Sequence, residues 1–189
     1  MRFNCKIIRE KRKGVSAEAR EGVLILKVPL RMSDREVDEI LKKHHRRLSA
    51  MIDGSREREE KLSKLPPITR KELDELTEKA RMFFSERAAF YAEKLGVKYG
   101  RITIRSQTSR WGSCSTKGNL NFNCLLMLAP EEVADSVAAH EVTHLVHHDH
   151  SNAFYETLLN ICPDYHSSND WLKKNGDLLI GRMKRGKDI

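Results

Sequence analysis

The segment HEVTHLVHHDH, His140 to His150, gathers five of the chain's eight histidines and one glutamate. Its spacing constrains the local fold, because residues four apart stand one above the other, about one turn apart, on a helix, whereas on a strand they share a face but lie about 13 Å apart. On a helix His140 and His144 offer two imidazole nitrogens to one zinc ion at roughly 2.0–2.1 Å. Glu141 reaches beside the metal without ligating it. There its carboxylate can take a proton from water acidified by zinc and pass it to a leaving amine. This is the H-E-x-x-H arrangement of zinc peptidases, and here it falls among small and aliphatic neighbours.

A catalytic zinc needs a third protein ligand and an open position. The nearby candidates are His147, His148, Asp149, His150 and Glu156. His147 and His148 are expected to continue the helix as a solvated end, where histidine also suits the dipole. His150 stands just before Ser151, a helix-capping residue where the chain must turn. A turn can bring its ring back to the metal. His150 is therefore favoured, with Glu156 as the fallback.

No apolar run approaches the roughly 20 residues of a membrane span, and the basic start MRFNCKIIREKRKG lacks a signal peptide's apolar stretch. A cytoplasmic protein with no membrane association is expected. Cys5, Cys114, Cys124 and Cys162 form no CxxC pair, which speaks for reduced thiols rather than a zinc knuckle. The net charge of +8 lies in the N-terminal half, as in REKRKG and KKHHRR. Such a surplus can attract nucleic acid or an acidic partner, although a solvated face is the plainer reading.

Apolar runs at Phe3–Arg9 and Val23–Pro29 suit two paired strands, and Ser33-Asp-Arg-Glu36 opens a helix with a capping box. Gly54–Pro67, charged and ending in a double proline, reads as a linker. A second capping box, Thr69-Arg-Lys-Glu72, begins a long helix whose stripe from Leu73 to Leu95 is core, ending at Gly96. Residues 101–105 alternate like a strand, and Asn119–Asn123 with Leu125–Leu128 supplies further extended chain. Pro130 starts the helix of the histidine motif, and Ser151 caps another that Pro163 ends. GRMKRGKDI reads as a polar, frayed tail.

The run RWGSCSTKGNLNFNCLLMLAPEEVADSVAAHEVTHLVHHDHSNAFY closely resembles the YgjP-like metallopeptidase family, relatives of the SprT-like zinc proteases. That family typically shows WGSC, a strand ending in asparagine, a proline-started helix with HELxH, and a DHS or NHS segment before an aromatic pair. The N-terminal strands, the helix after RMSDRE, and PDYHSSNDWLKKNG resemble its layout as well. The resemblance implies a zinc-dependent hydrolase with His140, His144 and His150 as metal ligands and Glu141 as general base. Val142-Thr143 replaces the usual Leu-Ala, and Tyr155 stands where tryptophan is common, which bears on the wall of the substrate groove.

The fold expected is α+β. A small N-terminal β module with its linker, 1–66, precedes a zincin-like catalytic domain, 67–176, in which a short mixed sheet packs on helices bearing HExxH. A polar tail, 177–189, follows. Trp111 is expected to anchor the core or line the groove, and Gly112 to make a turn. The strand around Asn119–Asn123 is expected at the cleft's edge, pairing with an extended peptide. Tyr155, Tyr165, His166 and Arg110 are candidates for stabilising the oxyanion.

A metallopeptidase acting on a peptide or protein is the leading function. The alternatives are a metal-dependent hydrolase of nucleotides or other phosphorylated small molecules, and a nucleic-acid-associated protein with structural zinc. No GxxxxGK supports the first, and structural sites usually close with four ligands and favour cysteine.

Overall fold

A computed structural model describes residues 4–187. The chain is α+β and divides into two compact units, one ending at Leu65 and the other beginning at Pro66.

In the first unit, β1 (Cys5–Glu10), β2 (Ser16–Arg20) and β3 (Val23–Pro29) form a sheet in the order β1-β3-β2. The charged stretch between the two anticipated strands thus contains a strand of its own. Phe3 lies outside the described residues. Glu21 and Gly22 both take positive φ, the geometry of a two-residue hairpin turn joining β2 to β3. Leu24, Leu26 and Val28 alternate along β3 and are fully buried, which is the period-two pattern of a strand with one covered face. They pack with Val37 of α1 (Asp34–Lys43) and with Leu48 and Ile52 of α2 (His45–Ser63).

The stretch from Gly54, expected as a linker, is helical through Ser63. Its charged residues are good helix formers, and buried Ser55 accepts a hydrogen bond from the Gly22 amide at 3.3 Å. The turn to the second unit is confined to a few residues around the double proline.

The second unit opens with α3 (Arg70–Leu95), capped by the Thr69 hydroxyl at one end and by left-handed Gly96 at the other. Leu76, Ala80, Phe84, Ala88 and Tyr91 make its buried stripe. Phe84 stacks flat on Phe122, with ring centroids 4.2 Å apart. Phe122 belongs to β6 (Leu120–Asn123), the middle strand of a sheet ordered β4-β6-β5, with β4 (Ile102–Arg105) parallel to it and β5 (Gly112–Cys114) antiparallel. The Asn119–Asn123 segment was expected at the edge. Both its sides are taken by ladders, so the edge beside the cleft is β5.

Leu125–Leu128 was expected to be extended but belongs to a 3-10 turn, Cys124–Leu128, started by the Asn123 side chain, which accepts from the Leu125 amide at 3.1 Å. α4 (Glu131–Thr143), α5 (Asn152–Ile161) and α6 (Tyr165–Lys187) follow. Residues 177–187, expected as a polar tail, are the last turns of α6. Leu179 and Met183 lie one turn apart and are buried, and Arg182 donates to Pro66 O at 2.9 Å and to the Glu72 carboxylate at 3.1 Å. No helix among the described residues is long and apolar enough to cross a membrane.

Candidate metal centre

α4 carries the motif on a helix that is buried nearly all round. Val133, Ala134, Val137, Ala138, Ala139 and Val142 are all core. The helix ends at Thr143, and His144 is its C-cap, still in right-handed conformation, so its side chain remains one turn from His140. His147 and His148 were expected to extend the helix. They lie past its end, because amides 145–147 bond back to Val142 and Thr143 in a closing turn.

That turn brings His150 back. One ring nitrogen from each of His140, His144 and His150 lies within 4.8 Å of the others. The Nε2 atoms of His140 and His150 are 3.1 Å apart. Two zinc ligands at roughly 2.0–2.1 Å and a tetrahedral angle would stand about 3.3–3.4 Å apart, so a slight opening admits the ion. His140 Nδ1 is buried without a partner, which leaves Nε2 as that ring's polar outlet.

His144 Nδ1 lies 3.0 Å from His147 O, and a backbone carbonyl can only accept. The proton is therefore on Nδ1, and Nε2 is free to face a metal. The ring of His147 is itself held 3.0 Å from Thr157 Oγ1 on α5. Burial, reinforced by the neighbouring His144 and His150, pushes His140 down to about 4, and burial lowers His144 too. Both rings are thus held neutral, as metal ligands must be. Three imidazoles without a thiolate form a donor set that suits zinc.

The other acidic and histidine candidates fall elsewhere. Glu156 is exposed on α5, His148 is exposed, and Asp149 accepts from the Ser151 amide at 3.2 Å. Neither acid belongs to the cluster.

Glu141 is 6% exposed. Burial raises its carboxyl to about 8 against the opposing pull of the Arg110 guanidinium and a hydrogen bond from the Cys114 amide. The carboxylate lies against β5. A Cβ at Gly112 would stand 2.5 Å from Glu141 Oε1, so the glycine of WGSC is a place cleared for the carboxylate rather than a turn. Burial, with Glu141 nearby, lifts the Cys114 thiol to about 11, away from the thiolate a nucleophile needs.

Asn123 was legible as the end of a strand, but its task was not. Fully buried, it donates to Gln107 O at 2.8 Å and Arg110 O at 3.2 Å, fixing the loop that delivers Arg110 and Trp111. Only the asparagine at the end of an apolar strand hinted at this. Among the oxyanion candidates, Arg110 and Tyr165 line a cavity that His140 and Glu141 also face. Tyr155 lies by His150, with ring centroids 6.2 Å apart, and His166 is exposed.

The family profile described as YgjP-like, metallopeptidase domain, matches residues 51–175. No curated protein matches the chain. Four chains of solved structures do. One is the metallopeptidase zymogen of Pyrococcus abyssi abylysin, 19% identical, covering 47% of this chain and 90% of that one with a TM-score of 0.43.

Proposed function

We propose that this chain, which belongs to the YgjP-like metallopeptidase family, hydrolyses peptide bonds with zinc held by His140, His144 and His150 and with Glu141 as general base. When bound, the ion supplies the Lewis acidity that polarises the scissile carbonyl and makes water a nucleophile near neutral pH.

The chain's own residues supply the rest. His144 is oriented through Nδ1 by the His147 carbonyl. Glu141 is held against β5 by the Cys114 amide and by the space at Gly112. Burial raises its carboxyl in the metal-free protein, and a cation beside it would draw the value back down, leaving a carboxylate that can accept a proton from water and give it to the leaving amine. The outer edge of β5 has no ladder partner among the described residues, and apart from the Cys114 amide, which holds Glu141, its outward backbone groups can pair with an extended peptide that passes in front of Glu141.

One observation carries this reading. A buried carboxylate is placed beside an open cluster of three imidazoles at the free edge of a sheet. The test is Glu141→Gln in zinc-loaded protein. Peptide hydrolysis is expected to fall by about 10²–10⁴-fold with metal content unchanged. Equal rates in the two proteins would overturn the proposal.

A further inference from the structure

Between α4, α6 and β5 lies a cavity of about 280 Å³ onto which His140 and Glu141 open. Its walls come from two helical stripes. α4 presents Val137 one turn before Glu141, and α6 presents Tyr165, Asn169 and Leu172 at i, i+4 and i+7. Trp111 closes the strand side. Its indole is pressed against α6 at Gly176, where a Cβ would stand 2.7 Å from the ring.

These walls are largely hydrocarbon and aromatic. Val137, Tyr165 and Leu172 are all buried, and the Ser136 hydroxyl is engaged by Val133 O at 2.8 Å. The Asn169 amide, half-buried, makes no hydrogen bond among the described residues, and Arg110 is exposed at the rim. Water takes about 30 Å³ per molecule, so the cavity has room for roughly nine water volumes, enough for a phenyl or a branched aliphatic group.

Resting on the peptidase reading, we infer that this cavity is a specificity pocket for a bulky apolar side chain flanking the scissile bond, with Asn169 setting its selectivity. A peptide paired with β5 passes Gly112, where the cavity opens beside the Glu141 carboxylate. Side chains alternate along such a peptide, so one beside the reacting carbonyl enters between α4 and α6. An acidic or a lysine side chain would bury its charge between Val137, Leu172 and Trp111, and the two charged groups of the lining, Glu141 and Arg110, act on each other, with the Cys114 amide also on Glu141.

The test uses the zinc-loaded full chain and short peptide hydroxamates, whose metal-binding group makes turnover unnecessary, differing only in one side chain: Gly, Leu, Phe, Glu or Lys. The Leu and Phe compounds are expected to bind about ten- to a hundred-fold more tightly than the Gly compound. The Glu and Lys compounds should gain nothing over Gly. Asn169→Arg should turn the preference toward Glu, and Asn169→Asp toward Lys, so that either variant serves should the other fail to fold.

Equal affinity for all five compounds at full zinc content would overturn the pocket, as would an order unchanged by both substitutions. A degenerate peptide library, digested in parallel, separates this inference from the peptidase reading. Cleavage without preference beside the scissile bond overturns the pocket and upholds the peptidase. Ranked binding without cleavage does the reverse.

Discussion

Gly112 and Glu141 show how closely a single residue is bound to the chemistry proposed for this site. Gly112 is not in the left-handed region, so alanine suits its backbone, and the conflict is purely one of space. A methyl group 2.5 Å from Oε1 must displace the carboxylate. Misplacing a catalytic group by about 1 Å can cost about a hundred-fold. Gly112→Ala is therefore expected to lower kcat at least about ten-fold while retaining its metal, and unchanged kcat would show that the carboxylate has slack. His140 supports a second prediction, for the metal-free protein. Burial takes its pKa from 6.5 down to about 4. Between these values the unfolded chain binds the extra proton, so the contribution to stability is complete above pH 6.5 and is lost as pH falls through about 4. The span corresponds to about 3 kcal/mol. Unfolding of chelator-treated wild type and His140→Gln between pH 7 and 4 should show the wild type losing its stability more steeply. Parallel curves would refute the assignment.

At the scale of elements, the sequence was most informative where one local pattern decided the outcome. The capping residues Ser33, Thr69 and Ser151 and the stripe of α3 all stand where spacing put them. The three histidines converge as the turn before Ser151 suggested. What spacing could not reveal depended on pairing between distant segments. β6 is central because β4 and β5 both reach it, and Gly54–Ser63 continues α2, with Ser55 buried against the β2–β3 turn. The end of α4 was misjudged because histidine is an ordinary helix residue, and nothing in the composition marks the closing turn in which amides 145–147 bond back to Val142 and Thr143. The same turn carries the link from Thr157 through the ring and carbonyl of His147 to His144. Thr157→Val keeps the shape and removes the hydroxyl. Metal affinity is expected to fall about ten-fold, the lower end of what losing an outer partner costs, with the thermal stability of the metal-free protein little changed. Competition with a chelator measures this, and an unaltered affinity would show that the turn holds His144 by itself.

For the whole molecule, charge and core are divided along the same line. Residues 1–65 carry 18 Lys+Arg against 11 Asp+Glu, and residues 66–189 carry 17 against 16. A surplus of seven charges thus belongs to the first unit and one to the second, so an anionic partner would find its field on the unit that lacks the histidine cluster. Among the described residues the large core cluster runs from Ile68 to Met183. Every proposed ligand, Glu141 and the whole cavity lining also fall after Pro66. The family match nevertheless begins at residue 51, within α2. These observations make different demands on a chain cut to residues 66–189. If the core is sufficient, that fragment should unfold cooperatively, retain one zinc per chain and lose it on His150→Ala. Calorimetry with metal analysis decides the matter. A fragment that melts without a transition, or folds without holding zinc, would mean that the last turns of α2 belong to the metallopeptidase unit functionally, although their own core lies with the first sheet.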